Sequence, residues 1–567
     1  MRTAVVMDRE GGGLLQAVAE DGSPTGPVEP VRDVAAAVGE RERAERPRWL
    51  WAATTEVYPA LLRAGVRVAR CHDVALTEGI LLAVEGRWGQ PRSLAAAWAR
   101  LRGLPVPDDP SRGPRAGQPS LFEQDQLGLP DGAGLLETVV AVHAAQQQRL
   151  GQAEHPDRLG LLVAAESAGA LAAAEMAEAG LPWRPDVHDV VLTQLLGPRP
   201  AAGAPPQRLR DLTEQIDAAL GGQRVNPDSP AQVLRAFAAA GMPLPSTRSH
   251  VLRGVDHPAV PLLLAYKELS RLHAVYGWSW LDTWVRAGRF RPEYLPGGVV
   301  SGRWATRGGG ALQIPHAVRR AVVADPGWTF VVADASQLEP RVLAALSDDH
   351  GLARAAAGGD LYAALAADGF GGDRARAKTA LLAAMYGGDA GQLLAVLRQR
   401  FPAAVGYVEA AARAGEEGRL VRSRLGRTCP PPTDGWLRAT AGAGGPLPDA
   451  EAGARARRAA RDRGRFTRNF VVQASAADWA LVWLAAGRRR LADPAATDPT
   501  PAGPTGRPQL VFFQHDEVVV HCQRHDAAWV TDAVADAAEE SRRLVFGNTA
   551  VRFPLTVATV DCYADAK

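Results

Sequence analysis

Lysine is scarce in this sequence. Of its 64 basic residues only Lys267, Lys378 and Lys567 are lysine. Because arginine, alanine, glycine and proline are all abundant, the composition is typical of GC-rich coding, and a lysine at any position runs against that bias. The formal net charge is only +2, so any surface that attracts nucleic acid must be local.

Cysteine and long apolar runs are also scarce. The cysteines are far apart and form no C-x-x-C pair, which argues against a zinc site or a disulfide framework and favours a reducing compartment; they are Cys71, Cys429, Cys522 and Cys562. The opening "MRTAVVMDREGGG" has an apolar run too short for a signal peptide, and no later stretch approaches 18 consecutive apolar residues. We therefore expect a cytoplasmic protein without a membrane partner.

At 567 residues the chain is too long for one ordinary domain. Residues 1 to about 105 mix strand-like with helical runs, which predicts a small α/β domain, and breakers from Pro105 to Pro119 predict its boundary. The later "NPDSPAQVLRAFAAAG" predicts a turn followed by a capped helix. The low-complexity segments 439–465 and 493–508 are predicted to be surface insertions.

Three stretches carry residues suited to chemistry, and the first runs from Trp328 to Asp349. An apolar strand there ends at Asp334, and Ser336 and Glu339 have the spacing of a capping box that opens a helix. For this stretch alone, a purely structural role for the acids is as good an interpretation as a catalytic one.

The second stretch runs from Asp373 to Gly388. Four of its residues recur every four positions and so line one slanting stripe of a predicted helix: Arg374, Lys378, Leu382 and Tyr386. A solvated charged face would account for the pattern. The alternative is a nucleotide site, with Arg374 and Lys378 on phosphates and Tyr386 near the base, and the rare lysine favours it.

The third stretch, "VFFQHDEVVV" (Val511 to Val520), predicts two strands joined by a tight turn with His515, Asp516 and Glu517 at the bend. Such a hairpin can place Asp516 beside the end of another strand, and Asp334 is the obvious partner. Two carboxylates that meet across a sheet can hold a pair of Mg²⁺ ions roughly 4 Å apart.

In order and spacing these stretches resemble motifs A, B and C of the DNA polymerase I family, the family A polymerases. Motif A is matched by Asp334, Ser336, Gln337, Glu339 and Arg341; motif B by Arg374, Lys378, Tyr386 and Gly387; and motif C by His515, Asp516 and Glu517. "SGRW" (Ser301 to Trp304) resembles the family's T-G-R segment, and "RFTRNFVVQASAAD" (Arg465 to Asp478) resembles the family's helix that faces the minor groove of the primer-template. Leu382 departs from the pattern, since the family usually has Phe or Tyr there.

The resemblance implies an α+β multidomain fold, a right-hand polymerase of thumb, palm and fingers preceded by a small α/β exonuclease-like (RNase H-like) domain. The implied domains are the exonuclease-like domain with its linker (1–155), thumb (156–255), first part of the palm (256–345), fingers (346–464) and second part of the palm (465–567). The resemblance implies a shorter form of the family's protein, because no 5′-nuclease domain fits in the length before Thr138. The implied activity is template-directed addition of dNTPs to the 3′ end of a primer by a monomeric enzyme.

The resemblance also implies a role for each matched residue. Asp334 and Asp516 would ligate two Mg²⁺ ions, which Mn²⁺ can replace, with Glu517 as a weaker catalytic contributor. The dNTP would contact Gln337, Glu339, Arg374, Lys378, Leu382 and Tyr386, and Glu339 would exclude a 2′-hydroxyl. Primer-template DNA would contact Arg303, Arg465, Asn469, Gln473 and His515 through hydrogen bonds that do not read sequence.

Proofreading is expected to be absent. The family's exonuclease uses four acids around two metals, and Asp8 and Glu10 match only the first pair. Glu56 is a poor third acid, and "ETVVAVHAAQQQRL" has no Asp for the fourth. The alternatives are a bifunctional polymerase with an active 3′–5′ exonuclease, a nuclease centred on Asp8 and Glu10, a single-subunit RNA polymerase, and a non-catalytic DNA-binding relic. Glu339 and the trio His515, Asp516 and Glu517 argue against the RNA polymerase, and the presence of both motif aspartates argues against the relic.

Overall fold

The computed structural model describes residues 1–110, 129, 134–201, 203–310, 312, 314–388, 391–441, 450–492 and 506–566. The chain divides into two compact units. One comprises Met1–Glu178, Tyr294–Ala305 and Val331–Ala558; the other comprises Ala179–Glu293, Thr306–Phe330 and Thr559–Lys567. The domain boundaries drawn from the resemblance stay predictions.

The N-terminal region folds around a five-stranded sheet in the order β3-β2-β1-β4-β5. Strand β1 is antiparallel to β2 and parallel to β4, and β4 is parallel to β5. The strands are β1 (Arg2–Met7), β2 (Gly13–Val18), β3 (Glu29–Val31), β4 (Arg48–Trp51) and β5 (Arg70–Asp73); the helices are α1 (Val34–Ala44), α2 (Thr54–Arg63), α3 (Val74–Val84), α4 (Leu94–Arg102) and α5 (Leu135–Gly151).

Both faces of this sheet are buried, because successive strand residues point to opposite sides. Val5 and Trp49 face one core layer, with apolar side chains of α1 and α2. Ala4 and Leu50 face the other layer, with apolar side chains of α4 and α5, such as Trp98. The predicted α/β domain is therefore confirmed, although 111–119 of its predicted boundary segment lies outside the described residues.

Helices dominate residues 156–327. The elements are α6 (Pro156–Ala179), β6 (Leu181–Pro182), α7 (Pro185–Leu196), α8 (Gln207–Ala219), α9 (Pro230–Ala239), α10 (Ser249–Leu252), α11 (Ala259–Tyr276), α12 (Trp278–Trp284), β7 (Val285–Arg286), β8 (Arg289–Phe290), β9 (Glu293–Leu295), β10 (Ala305–Arg307) and α13 (His316–Arg319). The small sheets run β6-β8-β7 and β10-β9. The predicted capped helix is α9, whose N-cap Ser229 accepts a hydrogen bond from the Gln232 amide.

The last part of the chain builds a four-stranded sheet in the order β12-β13-β11-β14. Its elements are β11 (Trp328–Ala335), α14 (Leu338–Ser347), α15 (His350–Ala356), α16 (Leu361–Gly369), α17 (Arg374–Tyr386), α18 (Gln392–Arg400), α19 (Pro402–Glu416), α20 (Asp434–Ala441), α21 (Ala450–Leu491), β12 (Gln509–Gln514), β13 (Glu517–Gln523), α22 (Ala527–Phe546) and β14 (Leu555–Val560), with 3₁₀ turns at Arg524–Asp526 and Tyr563–Ala566. Strand β11 is interior to the sheet and mostly buried, which explains its continuous apolar sequence.

One predicted insertion is partly wrong. Helix α21 begins at Ala450, so the second half of the low-complexity segment 439–465 is regular helix. The helix extends there because alanine and arginine are both strong helix formers. Residues 442–449, and 493–505 of the other predicted insertion, lie outside the described residues.

Two helices are long and apolar enough to cross a membrane by length and composition, Pro156–Ala179 and Glu451–Leu491. Within the protein, 72% and 83% of their most apolar windows are buried. Buried core helices pass the same test of length and composition. The finding is therefore weak evidence for a membrane span.

Candidate active site

Asp334 and Asp516 are brought together at neighbouring strands. Asp334 is the penultimate residue of β11, and Asp516 lies in the two-residue turn between β12 and β13. The Ala335 amide donates a hydrogen bond to the Asp516 carbonyl at 2.8 Å, which ties the hairpin turn to the end of β11. Both aspartate side chains are partly exposed. The structure therefore places Asp334 and Asp516 close together, as the hairpin pattern predicts.

The hairpin turn is tight. Gln514 pairs with Glu517 across it, and His515 adopts a left-handed backbone with φ of 57°. Burial, followed by the nearby Arg303 guanidinium, lowers the pKa of His515 below its ordinary value. Glu517 is only 3% exposed as the first residue of β13 and does not line the cavity that the aspartates face.

A cavity of about 300 Å³ opens beside the two aspartates. Its lining comprises Arg303, Asp334, Ala335, Gln337, Leu338, Glu339, Pro340, Tyr362, Leu382, Tyr386, Ala476, Ala477, His515 and Asp516. Eight of these are predicted site residues, drawn from four separate parts of the chain. Arg374, Lys378, Arg465, Asn469, Gln473 and Glu517 are predicted site residues outside the lining.

Glu339 is held from two sides within this cavity. The Arg303 guanidinium forms an ion pair with its carboxylate, and the Tyr386 hydroxyl donates a hydrogen bond to it. Partial burial and the Glu339 carboxylate together raise the pKa of Tyr386. A carboxylate fixed in this way can present a defined steric boundary to a ligand in the cavity.

The predicted capping box at Ser336 and Glu339 is wrong. The N-cap of α14 is Gln337, with φ of 57° and no side-chain cap. The Ser336 hydroxyl instead lies 2.7 Å from the Thr556 hydroxyl on β14, and Glu339 makes the contacts just described. Long-range partners therefore take both side chains away from the local capping arrangement.

Asp360 is a central residue that the sequence motifs missed. Its Oδ1 accepts from Gln337 Nε2 at 2.8 Å, and its Oδ2 accepts from Arg374 Nε at 2.8 Å. It also caps α16 through the amides of Tyr362 and Ala363. Partial burial alone would raise the pKa of Asp360, but hydrogen bonds from Arg374 and Gln337 bring it to about 2. One carboxylate thus connects the start of α14, α16 and α17.

Helix α17 presents the predicted stripe, from the cavity outwards. Leu382 and Tyr386 line the cavity. Arg374 is exposed, and its guanidinium lies 5.5 Å from the centre of the Tyr362 ring, a further lining residue that the motifs did not single out. Lys378 is exposed. The two cations therefore stand at the outer end of the stripe, where a long polyanionic ligand would reach them.

A turn places Arg303 at the cavity. The Val299 amide donates to the Arg303 carbonyl at 3.0 Å, and Gly302 within the turn has φ of 83°. Arg427 lies behind this turn, buried and paired with Glu166 at 2.7 Å and with Asp478 at 2.9 Å. A Cβ at residue 302 would stand 2.2 Å from Arg427 Nε, so only glycine fits.

The remaining predicted DNA-contact residues follow one face of α21. Arg465, Asn469 and Gln473 are spaced by four and are exposed or partly exposed. Ala476 and Ala477, further along the same helix, line the cavity. The stripe therefore leads directly to the aspartates.

Comparison with known proteins decides the family. Residues 204–561 match the family model described as DNA polymerase family A. This chain belongs to that family. DNA polymerase I of Thermus filiformis, named as thermostable, is 31% identical over 327 residues, which is 54% of this chain and 35% of that protein. DNA polymerase I of Chloroflexus aurantiacus is 30% identical over 268 residues, 39% of this chain and 28% of the relative.

The family A chain spans about a third of the length of these curated relatives. Among solved structures, it is similar to the POL domain of Pol1 from M. smegmatis, in complex with DNA primer-template and dNTP, with a TM-score of 0.71 and 18% identity. The match covers 100% of this chain and 95% of that one. This likeness confirms the multidomain polymerase fold. Family A DNA polymerases generally depend on a metal ion.

The aspartate pair fits a hard divalent cation. Among the described residues no group of three or more His, Cys, Asp or Glu side chains is arranged to hold a metal. Mg²⁺ is commonly bound by only one or two carboxylates, with water and substrate phosphates completing its shell. Two neighbouring, partly exposed carboxylates at a cavity are therefore a suitable donor set.

The N-terminal acids serve a turn. Asp8 and Glu10 are exposed between β1 and β2, and Asp8 Oδ1 accepts hydrogen bonds at 2.9 Å from the Glu10 and Gly12 amides. Helix α5, where a fourth acid was sought, contains no Asp and buries His143 and Gln146. The absence of exonuclease activity stays a prediction.

Proposed function

We propose that this protein is a template-directed DNA polymerase that adds dNTPs to a primer 3′ end. The observation that carries the proposal is the meeting of Asp334 and Asp516 at a cavity walled by Leu382 and Tyr386 of α17. Membership of family A supports it. The relatives named DNA polymerase I, and the solved neighbour bound to primer-template and dNTP, support it further.

Asp334 and Asp516 would hold two Mg²⁺ ions, for which Mn²⁺ can substitute. Bound metal would supply activation of the attacking 3′-hydroxyl and stabilisation of the pyrophosphate that leaves. Buried Glu517, the first residue of β13, would contribute weakly. The aspartates stay close because the backbone hydrogen bond from Ala335 to Asp516 fixes the hairpin against β11.

The other predicted residues would orient the substrates. Arg374 and Lys378 would bind the triphosphate, since both cations are exposed at the outer end of the α17 stripe. Glu339, fixed by Arg303 and Tyr386, would exclude a 2′-hydroxyl. Gln337 and Leu382 would complete the nucleotide site.

Primer-template DNA would lie along α21 and reach the aspartates. Arg465, Asn469 and Gln473 would contact it from the helix, and Arg303 and His515 from the cavity wall. We further propose a cytoplasmic, monomeric enzyme without proofreading. The turn-stabilising contacts of Asp8 and the lack of an Asp on α5 support the last point.

Primer extension with Mg²⁺ and dNTPs on a 5′-labelled primer-template tests the proposal. Asp334→Asn and Asp516→Asn should each lower the extension rate at least about 1,000-fold, while affinity for primer-template stays within a few-fold. A matched control is Asp368→Asn on the exposed side of α16. Wild-type extension by either aspartate variant would refute the metal assignment. Primer shortening without dNTPs would refute the absence of proofreading.

A further inference from the structure

Arg341 of α14 belongs to motif A, but the proposed function gives it no role. Its side chain is fully buried, at 0% exposure, and it does not line the cavity. Taking a guanidinium out of water is costly, so a buried arginine needs partners for its N–H groups within the protein. The partners of Arg341 therefore indicate what it does.

The Arg341 guanidinium donates to six uncharged acceptors among the described residues. Five of them are backbone carbonyls: Ser336 at 3.1 Å from Nε, Ala356 at 2.7 Å and Arg552 at 2.9 Å from Nη1, and Gly358 at 3.2 Å and Gly359 at 2.5 Å from Nη2. The sixth is Gln337 Oε1, a longer contact at 3.5 Å from Nη2. These acceptors are enough to engage every N–H group of the guanidinium.

The acceptors lie on three segments that meet at the predicted nucleotide site. The first is 336–337, just after Asp334 at the end of β11. The second is the loop 356–359, which joins α15 to α16. The third is Arg552, in the segment that leads into β14, and its amide also donates to the Ala356 carbonyl at 3.3 Å. The buried guanidinium therefore ties the loop 356–359 to the strand end that carries Asp334.

The loop 356–359 leads directly into Asp360, which holds Gln337 and Arg374. The Gln337 side chain is fixed from both ends. Its Oε1 accepts from the Leu361 amide at 2.9 Å as well as from Arg341, and its Nε2 donates to Asp360 at 2.8 Å. Burial lowers the pKa of Arg341, and the negative charge of Asp360 opposes that shift. Arg341 is thus coupled to Asp360 through the loop backbone, through Gln337 and through charge.

Gly358 and Gly359 leave the loop without side chains that could hold it in place. Both are exposed, and a Cβ added at Gly359 would have nothing within 4 Å. Consecutive exposed glycines can adopt many backbone conformations, and packing does not select one of them here. The carbonyl contacts to Arg341 restrict the loop instead.

We propose that Arg341 is a positioning residue for nucleotide binding, which fixes the loop 356–359 so that Asp360 holds Gln337 and Arg374 in place before the dNTP arrives. This inference rests on the proposed polymerase function. Ordering these groups in the free protein lowers the cost of ordering them on binding. Lysine would keep the charge but has fewer donors and no planar fork, so charge alone cannot replace the guanidinium.

Steady-state single-nucleotide incorporation by the full chain tests the proposal. Arg341→Gln should raise the KM for dNTP about 20-fold, and Arg341→Lys about fivefold, while kcat stays within about threefold in both variants. The matched control is Arg488→Lys, the same substitution at a buried arginine that also donates to backbone carbonyls, those of Val68 and Ala69. It should lower stability and leave the KM unchanged.

A second variant leaves Arg341 and the buried core intact. One glycine inserted after Gly358 lengthens an exposed loop, so the protein should fold, but Asp360 is no longer held by the carbonyl contacts to Arg341. This insertion should raise the KM about as much as Arg341→Gln does. Combined with Arg341→Lys it should raise the KM little further, because both changes act on one loop. A glycine inserted after Gly89, exposed in the N-terminal domain, is the control.

Amide hydrogen exchange of the nucleotide-free protein gives a readout that does not depend on activity. In Arg341→Lys, exchange should become faster at residues 356–363, where the amides of Leu361, Tyr362 and Ala363 are bonded to Gln337 and Asp360, while α22 exchanges as in the wild type. Wild-type KM in the insertion variant, or unchanged exchange at 356–363 in Arg341→Lys, would overturn the inference. If the wild type does not extend a primer, the proposed function fails, whereas the exchange result still reports on the loop.

Discussion

At the scale of single residues, Asp360 contacts two residues of the predicted nucleotide site although it belongs to no motif. Its carboxylate holds Arg374 and Gln337 at 2.8 Å each. If Arg374 binds the triphosphate, then Asp360 is a positioning residue that fixes this cation before the nucleotide arrives. Pre-positioning lowers the ordering cost of binding.

Asp360→Asn tests that role. Asparagine caps helices as well as aspartate, so α16 should stay intact while Arg374 loses its charged partner. We expect the KM for dNTP to rise roughly fivefold to tenfold, with kcat within about twofold. Steady-state single-nucleotide incorporation measures both constants.

Asp368→Asn is the matched control, because it removes the same charge from the same helix beside Arg400. It should leave both constants unchanged. A fall in the KM of Asp360→Asn would contradict the positioning role and would instead mean that Asp360 competes with the triphosphate for Arg374.

The sequence could not reveal Asp360. The residues that it joins lie 23 positions before it and 14 after it, and neither spacing corresponds to a helix or strand period. Asp334 and Asp516 could be paired in advance because each follows a strongly apolar strand, so both had to lie at strand ends. Ser336 was misread because its long-range partner, Thr556, outweighs the local spacing.

At the scale of elements, the Val299–Arg303 turn depends on Gly302. Its φ of 83° and the buried Arg427 behind it both require glycine. Gly302→Ala should destabilise the protein by about 3 kcal/mol and slow primer extension, because the turn that delivers Arg303 must move. Thermal unfolding and extension assays report the two effects separately.

Gly65→Ala provides the comparison. Gly65 has φ of 77° with nothing within 4 Å of an added Cβ, so this variant has the backbone cost of about 1 kcal/mol without a collision. If both variants lose the same stability and activity, Arg427 does not support the turn.

Elements were predictable where their sequence period was clear. The β12–β13 hairpin matches its prediction because continuous apolar runs flank its polar turn, and α17 matches because a four-residue pattern runs along it. Helix α21 was predicted only from Arg465 onwards. Its first turns are mainly alanine, glycine and arginine with no apolar stripe, so the composition suggested an insertion. Helix propensity and packing on Trp436 instead extend the helix.

At the scale of the whole molecule, a buried cluster around the ion pair of Arg488 and Glu175 joins the N-terminal domain to α6 and to α21, which lines the site. Arg488 of α21 contacts both oxygens of Glu175 on α6, at 2.7 and 3.0 Å, and donates to the Ala69 carbonyl at 2.8 Å. Tyr58 of α2 donates to Glu175 at 2.5 Å. These residues lie in one compact unit, so the N-terminal domain is attached through charges shielded from water.

Glu175→Gln should therefore destabilise the protein by about 3–5 kcal/mol at pH 7, because it leaves the Arg488 charge buried without its partner. Burial alone would raise the pKa of Glu175, but attraction to Arg488 outweighs it and holds the pKa below its ordinary value. A carboxylate with a depressed pKa contributes stability above its unfolded value of about 4.3 and loses it as the pH falls towards the folded value. The stability difference between wild type and Glu175→Gln should thus be constant from about pH 6 to 8 and shrink below about pH 4.

Urea unfolding across this pH range measures the stability difference. The double variant Glu175→Gln, Arg488→Met should recover most of the loss at pH 7, since no unpaired charge remains. A difference that is the same at about pH 3 as at pH 7, with no recovery in the double variant, would show that packing rather than charge attaches the N-terminal domain.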